Sequence, residues 1–273
     1  MKWRKVLYET GGFPDNYTPE ECFLAARRYN QNLVTYSLAQ CLVGGAEVTI
    51  RISLVIIVWS CYCFIKSANV KPSNVTLVTL VVSLIGYLLI VSRNKTKIID
   101  NLHQAIKTST LFIVTGYALS PVLYTLTDTI STDSIHSMAA SSFLLHLLTA
   151  DYGISAPVVS WQLSLNAAVF SSVCLASRFQ DHQSAFALLS VSVFCFLLIP
   201  LSRHHIMSSS LAWSVITSST CLVLQSMISR SHTILATVSL VSVQVLCPTL
   251  FYYLQSDKLT IHGPWDEATP ASS

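Results

Sequence analysis

Charged residues are scarce in this chain. Asp, Glu, Lys and Arg make up 11% of its 273 residues, against roughly 25% in an ordinary soluble domain. Apolar residues account for 52%, and the mean hydropathy is +0.56. Of the 29 charged residues, 18 precede Thr108 and only seven lie between Thr108 and Ser256. These figures argue against a soluble globular protein.

Long stretches without any charge follow from this distribution. Seven such gaps, of 17 to 26 residues, can each cover a hydrocarbon core of ~30 Å, which takes about 20 helical residues. They are 72–92, 108–127, 134–150, 152–177, 182–202, 204–229 and 231–256. An eighth span is predicted around 48–65, where Arg51 lies near the helix start and can snorkel to the interface. The pattern predicts an all-α polytopic membrane protein with a bundle of about eight transmembrane helices.

The spans divide the chain into three predicted parts. Residues 1–47 form a cytoplasmic N-terminal segment, 48–254 the transmembrane bundle and 255–273 a cytoplasmic C-terminal tail. Within the first part, a helix is predicted between Tyr17 and Glu47, opened by a capping box of Thr18 and Glu21. Its modest apolar stripe is compatible with an interfacial helix along the cytoplasmic leaflet, and equally with a connecting helix packed on the bundle.

The distribution of Lys and Arg predicts the orientation. With eight spans both termini share one side of the membrane, and that side carries 11 of the 16 Lys and Arg residues against four on the other. Arg51, inside a span, is the sixteenth. Because cytoplasmic loops are enriched in Lys and Arg, both termini are predicted to be cytoplasmic.

Motifs of soluble catalysis are missing. The chain has no G-x-G-x-x-G, P-loop or D-x-D motif, and its longest stretch outside the predicted membrane, about 47 residues, is too short for a nucleotide-binding domain. The eight cysteines show no C-x-x-C spacing and are predicted to be thiols buried in apolar surroundings. We therefore predict no catalytic residue, no cofactor, no metal site and no nucleic-acid partner.

A few polar residues inside the spans leave alternatives open. Gln162 and Asn166 share one face of the fifth span, where they either bond to a neighbouring helix or form a lipid site; the small residues beside them favour helix packing. His146 precedes Asp151 by five residues, which is not a same-face helical spacing, so a catalytic pair is disfavoured.

Motifs along the whole chain closely resemble the phosphatidylinositol glycan class C family. At the ends they are WRKVLYE (3–9), FPDNY (13–17) and IHGPWDEA (261–268). In the interior they are SLIGY (83–87), LSPVLYTL (119–126), STDSI (131–135), DYG (151–153), LSLN (163–166) and SVCLASR (172–178). The segments 92–107 and 202–210 match the family poorly.

The resemblance implies an endoplasmic reticulum protein in a multi-subunit complex. In that family the complex moves N-acetylglucosamine from its UDP donor to phosphatidylinositol on the cytoplasmic face, and the sugar-nucleotide site belongs to a separate glycosyltransferase subunit. It therefore implies a non-catalytic subunit, partnered by the catalytic subunit, other membrane subunits and a membrane that contains phosphatidylinositol. The alternative from a different class is a self-sufficient lipid-modifying enzyme, or a lipid-moving protein, with a buried site near His146, Asp151, Gln162 and Asn166.

The family has no established catalytic residues, so the candidate sites are predicted to contact partner subunits or lipid and not to carry out a reaction. Both end segments contain aromatic residues held by turns, which are typical of protein interfaces, although a tryptophan such as Trp265 is explained equally well by a position in the lipid headgroup region. A cytoplasmic docking surface for partner subunits is predicted from Trp3, Phe13, Pro14, Asp15, Asn16, Tyr17, His262, Gly263, Pro264, Trp265, Asp266 and Glu267. A second set, Asp151, Asn166 and Arg178, either orders the bundle or touches a phosphoinositide headgroup, with packing favoured.

Overall fold

Nearly all of the described part of the chain is helical. The computed structural model describes residues 12–14, 17, 28–30, 33–94, 129–153, 159–206 and 209–262. The helices are α1 (Leu38–Lys66), α2 (Pro72–Asn94), α3 (Thr132–Thr149), α4 (Trp161–Ala176), α5 (His182–Val193), α6 (Ile199–Ile206), α7 (Ser210–Ile228), α8 (Arg230–Val241) and α9 (Cys247–Leu254). A π-helical turn, Phe194–Leu198, joins α5 to α6, and another, Ser242–Leu246, joins α8 to α9.

The chain divides into two units. One is the helical bundle, Leu38–Thr249, and the other, the terminal unit, comprises Met1–Ser37 and Leu250–Ser273. The terminal unit contains two short strands, β1 (Arg28–Tyr29) and β2 (Ile261–His262), which pair antiparallel.

Five described helical stretches are long and apolar enough to cross a membrane. They are Leu38–Lys66, Pro72–Ile90, His182–Ser202, Ser210–Ile228 and Arg230–Asp257. The prediction of a multi-pass helical membrane protein is thus confirmed. Helices α3 and α4 lie at the predicted fourth and fifth spans, although α4 begins nine residues later than expected. The predicted third span, 108–127, lies outside the described residues.

Helix α1 begins ten residues before the predicted first span. It runs for 29 residues from Leu38, so Arg51 lies near its middle and is only 5% exposed. The prediction that Arg51 snorkels from the start of a helix is therefore wrong. Gly44, Gly45 and Glu47 weaken the apolar pattern of residues 38–47, so the sequence assigns residues 38–47 to the N-terminal segment and not to the first span. In the structure, residues 38–47 are the first part of α1.

The helix predicted between Tyr17 and Glu47 is found only from Leu38 onward in the described residues. Arg28 and Tyr29 are a strand, and residues 33–37 are not helical. Asn30 has φ 54°, a left-handed conformation that asparagine tolerates and that ends a regular strand or helix. Residues 18–27, which include the predicted capping box, lie outside the described part of the chain.

Short polar side chains begin most of the bundle helices. Ser131, Ser160, Asp181, Ser209 and Ser229 each accept a hydrogen bond from a backbone N–H in the first turn of α3, α4, α5, α7 and α8. Such caps satisfy N–H groups that have no partner inside the helix. The start of each of these five helices is therefore determined by the one residue that precedes it.

The two π-helical turns coincide with prolines. Pro200 and Pro248 lack the N–H that would bond to the carbonyl four residues earlier, which belongs to Phe196 and Gln244 respectively. Both of these residues lie inside a π-turn. A wider turn shifts the local hydrogen bonding around the missing donor, which is how a helix in a bundle accommodates proline.

Helix α1 is the centre of the bundle. Ile50, Leu54, Val58 and Tyr62, spaced four residues apart, are each no more than 2% exposed and form one stripe of the core. Helices α3, α4, α5 and the first π-turn supply the rest of this core, and α1 also packs along α7. Burying one continuous face of α1 thus brings most of the bundle together.

One glycine allows the end of the bundle to close on α1. A Cβ atom on Gly45 would lie 2.6 Å from Pro248 Cγ and 3.1 Å from the Val243 carbonyl oxygen. A Cβ on the adjacent Gly44 would meet nothing within 4 Å. A side chain at position 45 would therefore clash with Pro248, whereas a side chain at position 44 would not.

We expect Gly45→Ala to destabilise the bundle by about 1–3 kcal/mol, because the extra methyl overpacks the contact with Pro248. Gly44→Ala is the matched control and should be neutral or stabilising by up to about 1 kcal/mol, since alanine has the higher helix propensity. Thermal unfolding of the purified chain in mild detergent measures both. Equal effects of the two substitutions would contradict the packing described.

Candidate functional site

The two ends of the chain meet through backbone hydrogen bonds. Arg28 pairs with His262 and Tyr29 with Ile261 in the antiparallel β1–β2 register. Beyond the strands, the Asn30 N–H donates to the Thr260 carbonyl at 2.8 Å, and the Thr260 N–H donates to Asn30 Oδ1 at 2.9 Å. Segments 230 residues apart in sequence therefore form one small structure.

Gln255 extends this pairing. Its Nε2 donates to the Tyr36 carbonyl, and its Oε1 accepts from the Tyr36 N–H, both at 2.9 Å. The side-chain amide thus pairs with the backbone as a neighbouring strand would. The Tyr36 ring also lies 6.2 Å from the Phe251 ring, within the range of an aromatic pair. Sequence analysis missed Gln255, because a single glutamine at the end of an apolar helix gives no signal of its distant partner.

A turn in the FPDNY motif brings two aromatic rings together. The Tyr17 N–H donates to the Pro14 carbonyl at 2.9 Å, and the Phe13 and Tyr17 rings stack with centroids 4.7 Å apart. Tyr17 is 41% exposed, so the stacked pair leaves apolar area available for contact. The other residues predicted for the docking surface, apart from His262 in β2, lie outside the described residues: Trp3, Asp15, Asn16, Gly263, Pro264, Trp265, Asp266 and Glu267.

The second predicted set is not brought together. Asp151 follows the end of α3 and its Oδ1 accepts from the Gly153 N–H at 2.8 Å, whereas Arg178 Nη1 donates to the Ile130 carbonyl at 3.0 Å, just before the start of α3. The 18 residues of α3, ~27 Å of helix, therefore separate the two groups. Asn166 is exposed on α4. These residues do not share one site.

The polar contact between α3 and α4 is made by Ser164 rather than by Gln162 or Asn166, which are both exposed. His146 is 2% exposed, and its Nδ1 lies 2.9 Å from the Ser164 carbonyl and 2.8 Å from Ser164 Oγ. Because a carbonyl only accepts, Nδ1 carries the proton, and Ser164 Oγ then donates to the His146 carbonyl at 3.2 Å. The prediction that Gln162 and Asn166 pack this helix against its neighbour was therefore wrong: Ser164 is the residue of α4 that bonds to α3.

The buried arginine of α1 lies near the same end of α3. The charge of Arg51 acts on His146 and on Tyr152, whose O–H donates to the Leu147 carbonyl at 2.6 Å. Burial raises the pKa of the Tyr152 phenol, and the Arg51 charge acts in the opposite direction. The His146 Nε2 is buried and bonds to no residue that the structure describes. This cluster is the most polar part of the bundle interior, but Asp151 belongs to its own turn and forms no dyad with His146.

Cysteines and metal ligands add no site to the described residues. The seven cysteines there are free, and no group of three or more His, Cys, Asp or Glu residues is arranged to hold a metal ion. Cys174, Cys195 and Cys221 are buried as predicted, whereas Cys247 is exposed. Apolar neighbours in sequence do not distinguish a residue in the core from one on the outer surface of a membrane bundle.

We expect Gln255→Ala to loosen the terminal unit, since it removes both hydrogen bonds to Tyr36. Loss of a neutral hydrogen bond costs about 1 kcal/mol, so the Tyr36 amide should exchange its hydrogen roughly fivefold faster or more. Hydrogen-exchange mass spectrometry of the full chain measures this. Ser256→Ala is the control, because that hydroxyl bonds within its own turn to the Tyr253 carbonyl. Unchanged exchange in Gln255→Ala would contradict the contact.

Comparisons with known proteins cover nearly the whole chain. The profile of the GPI2 family, described as phosphatidylinositol N-acetylglucosaminyltransferase, matches residues 3–266. The chain is 34% identical to the C subunit of phosphatidylinositol N-acetylglucosaminyltransferase from Bos taurus, and 33% identical to that from Homo sapiens, over 98% of this chain and 93% of each relative. It is 28% identical to the GPI2 subunit of the Schizosaccharomyces pombe transferase, over 98% of this chain and 86% of that protein.

No solved structure matches the chain. The resemblance indicated by the terminal and interior motifs is confirmed by the family match and by the identity to these transferase subunits over almost their full length. This protein belongs to the GPI2 family of phosphatidylinositol N-acetylglucosaminyltransferase proteins.

Proposed function

We propose that this chain is a non-catalytic membrane subunit of the complex that transfers N-acetylglucosamine from UDP-GlcNAc to phosphatidylinositol, the first step of GPI-anchor biosynthesis. Its relatives are named as subunits of phosphatidylinositol N-acetylglucosaminyltransferase. Its partners are then the catalytic glycosyltransferase subunit, the other membrane subunits and the membrane that supplies phosphatidylinositol.

A division of labour between subunits agrees with the size of the polar parts of this chain. A nucleotide sugar needs a folded domain that holds base, ribose and diphosphate. The longest stretch outside the predicted membrane, about 47 residues, is too short to bury the core of such a domain. The bundle instead offers helices and buried hydrogen bonds that suit a scaffold, on which a catalytic partner and its lipid acceptor are positioned.

The observation that carries the proposal is the pairing of the two ends of the chain. β1 and β2, the Asn30–Thr260 bonds and the Gln255–Tyr36 bonds join the segments that hold the two predicted docking motifs. We infer that FPDNY and IHGPWDEA form one composite docking surface for partner subunits. Stacked, partly exposed aromatic residues such as Phe13 and Tyr17 are the kind of anchor that protein interfaces use.

The same pairing supports a shared side for the termini, because segments that hydrogen-bond to each other cannot lie on opposite faces of a membrane. Two termini on one side require an even number of spans, which agrees with the eight predicted from the charge-free gaps. The excess of Lys and Arg, 11 against four, favours the cytoplasm as that side. We place the protein in the endoplasmic reticulum membrane, as the family resemblance implies.

We expect Trp265→Ala to reduce recovery of partner subunits more than it reduces the amount of this chain in the membrane, because an aromatic anchor contributes to binding rather than to the bundle. Affinity purification of the tagged chain, with the partners quantified relative to it, measures the ratio. Trp161→Ala, at the start of α4, is the control and should leave that ratio unchanged. Equal loss of chain and partners in Trp265→Ala would support a folding role instead.

The alternative function is a self-sufficient enzyme with its site in the bundle. The observation that favours it is the pair of buried residues Arg51 and His146, with the half-buried Tyr152 near them, since ionisable residues at membrane depth are commonly functional. Against it stand the bonds of His146 to Ser164, which join two helices, and the use of Asp151 in a local turn. We therefore assign the cluster a structural role.

The two functions differ in the outcome of a pair of substitutions. His146→Ala should destabilise the bundle by roughly 2 kcal/mol or more, since it opens a cavity and unpairs Ser164, and should lower activity only in proportion to folded complex. Asp151→Asn should change neither stability nor activity, because asparagine can accept the same bond from Gly153. Thermal unfolding and transfer of labelled N-acetylglucosamine by the assembled complex measure these. Assembled, folded variants without turnover would favour the enzyme.

A further inference from the structure

A cleft opens in the side of the bundle between α3 and α8. Its volume is about 800 Å³, and its base is formed by Val55, Ile56 and Trp59 of α1 together with Gln225 of α7. Residues from His136 to Leu147 form one wall, and residues from His232 to Ser239 form the other. Both walls belong to helices of the same unit. At the base, Gln225 is buried, and Val55 and Trp59 are partly buried and pack against the core.

The depth of the cleft matches one leaflet of a bilayer. From His136 to Leu147 the wall runs 11 residues along α3, which is ~16 Å of helix. The hydrocarbon core of a membrane is ~30 Å thick and contains two leaflets, so one acyl chain extends over ~15 Å of it. The length of the cleft along α3 therefore matches that of one hydrocarbon chain of a lipid.

Polar groups are concentrated at one end of the cleft. His136 and Ser137 lie in the second turn of α3, and His232 lies in the first turn of α8. Farther along, the walls are Phe143, Leu144, Leu147, Leu235 and Ala236, together with Ser239, whose hydroxyl donates to the Ala236 carbonyl of its own helix. Trp59, at the base, makes an edge contact with His136 at 5.8 Å. A polar mouth, an aromatic residue beside it and an apolar interior follow the polarity of a lipid from headgroup to chain.

Positive charge is available at the polar end. Lys66 Nζ donates to the Tyr62 hydroxyl at 3.0 Å, and that hydroxyl lies 2.9 Å from His136 Nε2. Since the Tyr62 oxygen accepts from Lys66, its own O–H donates to His136. This pair of bonds brings the Lys66 ammonium close to the polar end of the cleft, although Lys66 itself does not line it, and a positive charge there favours an anion.

We propose that this cleft binds one acyl chain of an anionic glycerophospholipid, with the lipid phosphate at the Lys66–Tyr62–His136 end. The chain lies along α3 toward Leu147, and the phosphate completes the hydrogen-bonding chain that starts at Lys66. This binding site is separate from the docking surface at the termini and does not depend on the proposed subunit function.

The length of the cleft favours a lipid over a transmembrane helix of a partner. The cleft covers ~16 Å of α3, about half of the ~30 Å that a transmembrane helix has to cross. One acyl chain covers about that half.

Native mass spectrometry of the full chain tests the proposal. The chain is reconstituted in nanodiscs with equimolar phosphatidylcholine and phosphatidylinositol, released into mild detergent and weighed with the lipids it retains. We expect one retained phospholipid with roughly a fivefold preference for phosphatidylinositol, the ratio that one charge interaction of about 1 kcal/mol produces. A parallel sample with phosphatidylserine distinguishes a general preference for anionic lipids from recognition of inositol.

Two pairs of variants locate the lipid. Ala140→Phe fills the cleft and should abolish retention, whereas Met138→Phe, on an exposed position of the same helix, should not. Lys66 and Lys71 are both exposed and neither lines the cleft, but Lys66 bonds to the Tyr62 hydroxyl beside His136. Lys66→Gln should therefore remove the preference for anionic lipid while a lipid is still retained, and Lys71→Gln should keep it. Size-exclusion chromatography verifies that each variant is folded and monodisperse.

A photoreactive amino acid at position 140 identifies the occupant directly. A crosslink to phospholipid supports the proposal. A crosslink to another subunit, or to another segment of this chain, would overturn it, as would equal retention of phosphatidylcholine and phosphatidylinositol or unchanged retention in Ala140→Phe. None of these measurements uses transferase activity, so their failure is distinguishable from failure of the proposed function.

Discussion

In hydrocarbon, a polar group must find its partner inside the protein, and this constraint determines how the bundle is built. Ser60 donates to the Ile56 carbonyl one turn earlier and still accepts from Gln225 Nε2 at 3.0 Å. His146 and Ser164 satisfy each other across α3 and α4. The two π-turns rearrange the backbone bonding next to the prolines. These hydrogen bonds and π-turns allow a polar residue or a proline to lie in a segment that remains apolar enough to span the membrane.

The two units differ in how their polar groups are bonded. In the described part of the bundle, serine hydroxyls such as those of Ser171, Ser172 and Ser192 donate to a carbonyl of their own helix. In the terminal unit, backbone groups pair between distant segments and aromatic rings remain partly exposed. Membership of the GPI2 family fits this arrangement, since a subunit needs a stable membrane scaffold and a contact surface more than a reaction centre of its own.

How much was predictable depends on the range of the interactions. Charge-free gaps predicted the helices α2 and α5 to α9 closely, because length and hydropathy are local properties. Local periodicity could not predict that Arg28 and Tyr29 pair with residues near the other end of the chain, or that Gln255 binds the Tyr36 backbone. The start of α1 was missed because residues 38–47, which contain two glycines and Glu47, were assigned to the N-terminal helix and not to the first span. The packing of Gly45 against Pro248 explains why glycine is there. Ser164 was missed because a serine in a membrane helix usually bonds within its own turn.

We propose that this chain contributes to N-acetylglucosamine transfer only as part of an assembly. The most direct measurement compares the chain purified alone in mild detergent with the complex that co-purifies from its native membrane, each assayed for transfer of labelled N-acetylglucosamine from UDP-GlcNAc to phosphatidylinositol. We expect activity in the complex and none in the isolated chain. Activity of the isolated, pure chain would contradict it and would place a donor site within this sequence.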